Sequence, residues 1–152
     1  MEFTNQKLEE FNRYVTNKRV AIIGLGVSNL PLLKYFHDLR AKVTVFDNRG
    51  IEEIPKNIMD QITEYNFEFS FGKDSLSKLN QFDLILRSPS CMPNQPALEQ
   101  EEQRGAIVTS EIELLLKMIP CKVIGVTGSD GKTTTTTLIY EILKQAGYHC
   151  YL

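Results

Sequence analysis

The chain has 152 residues, enough for one ordinary domain with a sizeable core plus a short further piece, and too few for two full domains. With 42% hydrophobic and 24% charged residues and a net charge of −2, its composition is globular and gives no sign of an extended basic surface for nucleic acid, so an anionic ligand must be caught locally. No apolar run approaches the ~20 residues a membrane span needs. The opening Met1-Glu2-Phe3-Thr4-Asn5-Gln6 lacks the basic and apolar regions of a secretion signal, which together reads as a soluble, cytoplasmic protein. Cys91, Cys121 and Cys150 are odd in number and widely spaced, the pattern of reduced bystanders rather than of a disulfide framework or zinc site. His37 and His149 stand alone and read as surface or helix-face residues.

In chain order, Leu8, Phe11 and Val15 recur at helical spacing among charged residues, so an amphipathic helix occupies the first seventeen positions. Arg19 to Ile23 reads as a buried strand ending at Gly24, and Ser28 to Leu39 follows as a helix with Leu32, Leu33, Phe36 and Leu39 on one face and Pro31 tolerated near its start. A strand at Lys42 to Phe46 ends at Asp47. A weaker helix around Ile58 to Thr63 leads to a third strand near Phe67 to Phe71. Phe82 to Leu86 is a fourth strand, Gln95 to Arg104 a helix, and Ala106 to Val108 a short fifth strand. This alternation predicts an α/β fold with a parallel sheet covered on both faces by helices. Glu111 to Met118 is a further helix closed by Pro120, and the Met-Ile-Pro-Cys stretch is the predicted boundary: residues 1–118 form one domain and 119–152 the start of another. There a new strand, Lys122 to Val126, is expected to run into a glycine loop and a helix that Gly147 stops. The β-branched run Thr133 to Thr137 disfavours that helix, but Leu138, Ile139, Ile142, Leu143 and Ala146 keep its period.

Two glycine loops carry the chemistry. In Gly24-Leu25-Gly26-Val27-Ser28-Asn29 a strand opens into a helix, and Asp47 stands at the end of the next strand, as in dinucleotide sites. Asn29 replaces the third glycine of that fingerprint, which weakens a hydride-transfer reading. Ser28 and Asn29 at a helix N-terminus suit a diphosphate instead, although Gly-x-Gly is also a common tight turn. Asp47-Asn48-Arg49 lies where open parallel sheets bind ligands: Asp47 for a ribose or base N–H, Asn48 for a base edge, Arg49 for phosphate, or all three as a polar turn. Ser88-Pro89-Ser90 ends the fourth strand at the same edge.

The second loop is Thr127-Gly128-Ser129-Asp130-Gly131-Lys132-Thr133-Thr134. Two glycines let the backbone aim N–H groups at phosphate oxygens, Lys132 supplies charge, and the Thr133 hydroxyl reaches a magnesium ion. It departs from the strict phosphate-loop pattern, which needs glycine where Val126 stands.

Taken together, Gly24 to Asn29, Asp47-Asn48-Arg49, Ser88-Pro89, Thr109-Ser110-Glu111-Ile112-Glu113-Leu114 and Thr127 to Thr136 resemble, in order and spacing over the whole chain, the Mur ligases of bacterial cell-wall synthesis. Within that family they resemble the branch that joins D-glutamate to UDP-N-acetylmuramoyl-L-alanine. The family more often has Gly-Ile where this chain has Ser90-Cys91. The resemblance implies a Rossmann-like domain for the UDP end of the substrate, followed by the first strand, phosphate loop and helix of an ATPase domain. It assigns Gly26, Val27, Ser28, Asn29, Asp47, Asn48, Arg49 and Ser88 to UDP. Gly128, Ser129, Asp130, Gly131, Lys132, Thr133 and Thr134 go to ATP, with Lys132 catalytic and Thr133 on Mg2+. ATP would convert the alanyl carboxylate to an acyl phosphate that the D-glutamate amine attacks. The remaining strands and metal ligands of such an ATPase are not in this sequence, so no turnover is expected of this chain alone, and the apolar tail from Lys122 favours pairing of two copies. Two other readings stay open: a nicotinamide- or flavin-binding module, and a short non-catalytic binder of a UDP-sugar.

Overall fold

Five apolar runs pair as parallel strands: β1 (Arg19–Ile23), β2 (Lys42–Asp47), β3 (Glu68–Phe71), β4 (Leu84–Arg87) and β5 (Ile107–Thr109), in the order β3-β2-β1-β4-β5. The computed structural model describes residues 5–152, so the first positions of the expected N-terminal helix lie outside the described residues. The helices are α1 (Gln6–Val15), α2 (Leu30–Asp38), α3 (Lys56–Glu64), α4 (Pro96–Gln103), α5 (Glu111–Met118) and α6 (Lys132–Gln145). The chain divides into a larger unit ending at Pro120, which holds the sheet, and a smaller unit, Cys121–Leu152.

Alternation along each strand sorts the core into two layers. Val20 and Ile22 of β1, Val43 and Val45 of β2, and Leu84 and Leu86 of β4 meet Val15 of α1, Leu33 and Phe36 of α2, Ile58 and Ile62 of α3, and Leu114 of α5. Their neighbours Ala21, Ile23, Phe46 and Ile85 face the other way, onto Leu98 of α4 and the loop residues Leu79 and Phe82. The helix-poor second layer follows from the crossover between β3 and β4, which carries only a short 3-10 turn, Ser75–Lys78.

Helix ends follow simple local rules. Asn5 caps α1 by accepting the Leu8 N–H, and Ser110 with Glu113 forms a reciprocal capping box on α5. α1, α2 and α3 are followed two residues on by Asn17, Arg40 and Asn66 in the left-handed region, and α4 and α6 by Gly105 and Gly147. Glycine and asparagine are the usual residues there, and only Arg40 gives no sign of its stop in the sequence.

Two expectations need correction. α2 begins at Leu30 rather than Ser28, because Asn29 is drawn into the preceding loop by hydrogen bonds of its backbone and side chain. Lys122 to Val126 does not form a strand. A strand needs a neighbour to take its N–H and C=O groups, and α6 is the sole regular element among the described residues of that unit. α6 itself forms as expected. Its threonines fit because a hydroxyl can bond back one turn, as Thr136 does to the Lys132 carbonyl at 2.7 Å.

Candidate functional site

The register brings three loops together at the carboxyl edge of the sheet. Ile23 stands opposite Phe46 on one side and Arg87 on the other, so the chain leaves β1, β2 and β4 at one level. At this point the strand order reverses, since β2 follows β1 on one side and β4 lies on the other. Open parallel sheets place their ligands in such a crevice.

The loop from Gly24 to Asn29 is tied down from several directions. The Gly24 N–H donates to the Phe46 carbonyl at 2.7 Å, and the Asn29 amide donates to the carbonyls of Ile23 and Gly24, both at 2.9 Å. Gly24 takes φ +85°, and a Cβ there would lie 2.5 Å from Ser88 Oγ, so the position requires glycine. Gly26 is different. Nothing lies within 4 Å of where its Cβ would be. The N–H groups of Leu25, Asn29 and Leu30 are taken within this region. Those of Gly26, Val27 and Ser28 have no partner among the described residues and stand beside the N-terminus of α2. Val27 is 90% exposed, an apolar side chain held out over the edge.

Asp47 and Arg49 form the second wall. Asp47 is 5% exposed. Its Oδ2 accepts the Leu25 N–H at 2.8 Å and Arg49 Nη2 at 2.8 Å, while its Oδ1 accepts Arg49 Nε at 2.9 Å and the Arg49 N–H at 3.0 Å. Burial pushes the Asp47 carboxyl up, but the Arg49 side chain and the two backbone N–H groups outweigh it and hold the carboxyl below its ordinary value. Arg49 Nη2 also reaches the Leu25 carbonyl at 3.3 Å. The Gly72 N–H pins the turn by donating to the carbonyls of Asp47 and Arg49.

Ser88 forms the third wall. It is buried, its N–H donates to the Ile23 carbonyl at 2.9 Å, and its hydroxyl shares a 2.9 Å hydrogen bond with Ser90.

The structure therefore brings Gly26, Val27, Ser28, Asn29, Asp47, Arg49 and Ser88 to one edge, with Asn48 exposed on the turn between Asp47 and Arg49. Two of them already hold partners within the chain, although the buried Asn29 Oδ1 has none among the described residues. Both N–H bonds of the Asn29 amide go to loop carbonyls, and both Asp47 oxygens are engaged by the loop and Arg49. They shape the site, and Arg49 is the cation left facing it, its side chain 37% exposed.

In the second unit, Gly131 at φ +73° caps α6, with Lys132 and Thr133 in the first turn of that 14-residue helix. Gly128 to Thr134 are all exposed. Lys132 curls back over the loop, its Nζ donating to the carbonyls of Gly128 at 2.5 Å and Ser129 at 2.9 Å. The Thr133 hydroxyl is a hard oxygen ligand of the type Mg2+ takes. Among the described residues no group of three or more His, Cys, Asp or Glu side chains is placed to hold a metal. His37 stacks on Tyr65 with ring centroids 4.4 Å apart. Among the described residues no helix is long and apolar enough to cross a membrane.

Residues 18–110 match the Mur ligase MurD-like N-terminal domain, and residues 126–152 match the Mur ligase middle domain. The chain belongs to the MurD-like Mur ligases. It is 47% identical over 97% of its length to a protein of Ruminiclostridium cellulolyticum named UDP-N-acetylmuramoylalanine--D-glutamate ligase, and 45% identical over 95% to the protein of the same name from Clostridium tetani. It spans 32% and 31% of those two proteins, about a third of the length of these curated relatives. Among solved structures it resembles a murein peptide ligase from Psychrobacter arcticus, with a TM-score of 0.52 and 25% identity over 86% of this chain and 27% of that one. A dipicolinate synthase from Bacillus halodurans shares the fold at a TM-score of 0.51 and 17% identity, over 95% of this chain and 53% of that one.

The site residue that sequence reasoning missed is Leu25. Its backbone N–H and carbonyl join the glycine loop to Asp47 and Arg49, and an apolar letter inside a glycine motif gives no sign of that.

Proposed function

We propose that the first unit holds the uridine diphosphate end of UDP-N-acetylmuramoyl-L-alanine, and that Gly128 to Thr134 belong to the ATP site of a ligase that adds D-glutamate to it. The observation that carries this reading is the Asp47 and Arg49 pair locked into the glycine loop at the switch point of a sheet whose residues 18–110 match the MurD-like domain. A dinucleotide site needs an acidic side chain free to accept ribose hydroxyls. Here that carboxylate is spoken for, and a guanidinium takes its place at the edge, which favours a diphosphate and disfavours nicotinamide or flavin.

In this reading the N–H groups of Gly26, Val27 and Ser28 and the N-terminus of α2 receive the diphosphate, Arg49 neutralises it, Val27 packs against the ligand, and Asn48 reads the base. Asp47, Asn29 and Ser88 keep the loops in register. Lys132 neutralises charge on the transferring phosphoryl group. Mg2+, held by Thr133 and the phosphates, would add charge neutralisation there. A carboxylate is a poor acylating agent, so an oxygen of the alanyl carboxylate attacks the γ-phosphorus of ATP and ADP leaves. The amine of D-glutamate then attacks the acyl carbon, phosphate leaves, and the amine proton is lost. A ligase using ATP and a nucleotide-linked sugar works in the cytoplasm. In this reading the chain binds but does not turn over by itself, and its exposed tail supports pairing of two copies.

Calorimetric titration tests the reading: UDP should bind more tightly than NAD, and Arg49→Ala should weaken UDP binding by ~1–3 kcal/mol. Tighter binding of NAD overturns it. Phosphate release from ATP with both substrates present, above a Lys132→Ala control, would overturn the inactivity of the chain alone.

A further inference from the structure

Arg87 ends β4 at the same sheet edge, yet the nucleotide reading gives it no task. Its side chain is 17% exposed, and it bridges two elements: Nη1 donates to the Cys91 carbonyl at 3.4 Å, and Nη2 lies 3.6 Å from Glu113 Oε1. The carboxylate that receives it is itself fixed. Glu113 Oε2 accepts the Ser110 N–H at 2.9 Å and the Thr109 hydroxyl at 3.1 Å, which ties it to the end of β5 and the start of α5. The segment that Arg87 holds at Cys91 begins at Ser88, where the Ser88 carbonyl accepts the Cys91 N–H at 3.0 Å. Ser88 in turn packs against Gly24 closely enough to exclude any side chain there.

We propose that Arg87, oriented by Glu113, is a positioning residue that holds the Ser88 to Cys91 turn against the glycine loop and so sets the third wall of the nucleotide diphosphate site. The proposal rests on the UDP reading above. A planar guanidinium can engage a carbonyl and a carboxylate at once, whereas an ammonium on the same backbone serves one of them well.

The test uses the whole chain and UDP as the probe. Arg87→Ala should raise the dissociation constant about tenfold at unchanged stoichiometry, and Arg87→Lys should recover only part of that loss. Glu113→Gln should weaken binding in the same direction, and the double variant should be no worse than Arg87→Ala alone, because the two act through one bridge. Hydrogen exchange on the ligand-free protein should show the Cys91 N–H exchanging faster in Arg87→Ala, with β1 unchanged. A drop in stoichiometry at an unchanged dissociation constant would mean a merely structural role, and tighter binding in Glu113→Gln would mean that Arg87 touches the ligand itself; either result overturns the proposal. So does wild-type exchange at Cys91 in Arg87→Ala. If the unaltered chain fails to bind UDP, the nucleotide reading falls, while the Cys91 exchange still decides whether the bridge orders the turn.

Discussion

A Cβ on Gly24 would press into Ser88 Oγ at 2.5 Å from a backbone already at φ +85°, whereas one on Gly26 would meet nothing within 4 Å at an ordinary φ. The two glycines of one motif thus answer to different constraints. Gly24 serves the fold, because β1, β2 and β4 converge on it. Gly26 leaves room for something outside the chain. Gly24→Ala should cost ~2–4 kcal/mol of stability from left-handed strain and overpacking together, read by urea denaturation. Gly26→Ala should leave the urea midpoint unchanged and weaken UDP binding, since the added methyl stands where a phosphate would approach. If Gly26→Ala binds UDP as the parent does, the loop is only a turn and the open space beside it means nothing.

At the scale of elements, Glu101 shows how a charge can be buried in a helix and still stabilise. It sits on α4 with no exposed surface, accepts the Phe82 N–H at 2.8 Å, and pairs with Arg104 at 2.6 Å, so it fixes the loop that enters β4. Burial raises its carboxyl, yet the Phe82 N–H, Arg104 and the Gln81 N–H together hold it below the ordinary value. A carboxylate with a lowered folded pKa stabilises fully above its unfolded pKa and loses that contribution as pH falls through the folded one. Glu101→Gln should therefore cost ~1–3 kcal/mol at neutral pH, and the gap between parent and variant should close as pH drops below about 4.3, the ordinary glutamate value. A gap that stays constant down to the acid transition would show that ionisation of Glu101 is not what stabilises α4. Much of this layer was legible beforehand: β1 needed only a run of apolar, mostly β-branched residues ending in glycine, and α5 only the stretch from Glu111 to Met118 closed by Pro120. What was not legible depends on partners far along the chain. No periodicity says that Asp47 spends its oxygens on Leu25 and Arg49, that Asn29 turns inward, or that Arg40 takes a left-handed conformation after α2. The strand expected at Lys122 to Val126 fails for the same reason, since an apolar run becomes a strand only when another strand lies beside it.

For the whole molecule, the contrast between the two units decides what to expect in solution. The larger unit buries both faces of its central strands β1, β2 and β4. In the smaller one no residue of α6 is buried, and Val123, Ile124, Leu138 and Ile142 are each more than half exposed, at 52%, 58%, 58% and 65%. A large apolar side chain left in water forgoes ~1.5–3 kcal/mol of burial, so these four together are a substantial drive to association. The backbone at 122–126, in no strand among the described residues, adds groups through which a second chain could build a ladder. The chain should form a dimer through its tail, detected by light scattering at micromolar concentration, and a version ending at Pro120 should be monomeric with the same thermal midpoint for its sheet. Replacing Leu138 and Ile142 with serine should shift the full chain towards monomer. If the full chain and the shortened one scatter as monomers of equal stability, the exposed tail drives no association and the proposed pairing is wrong.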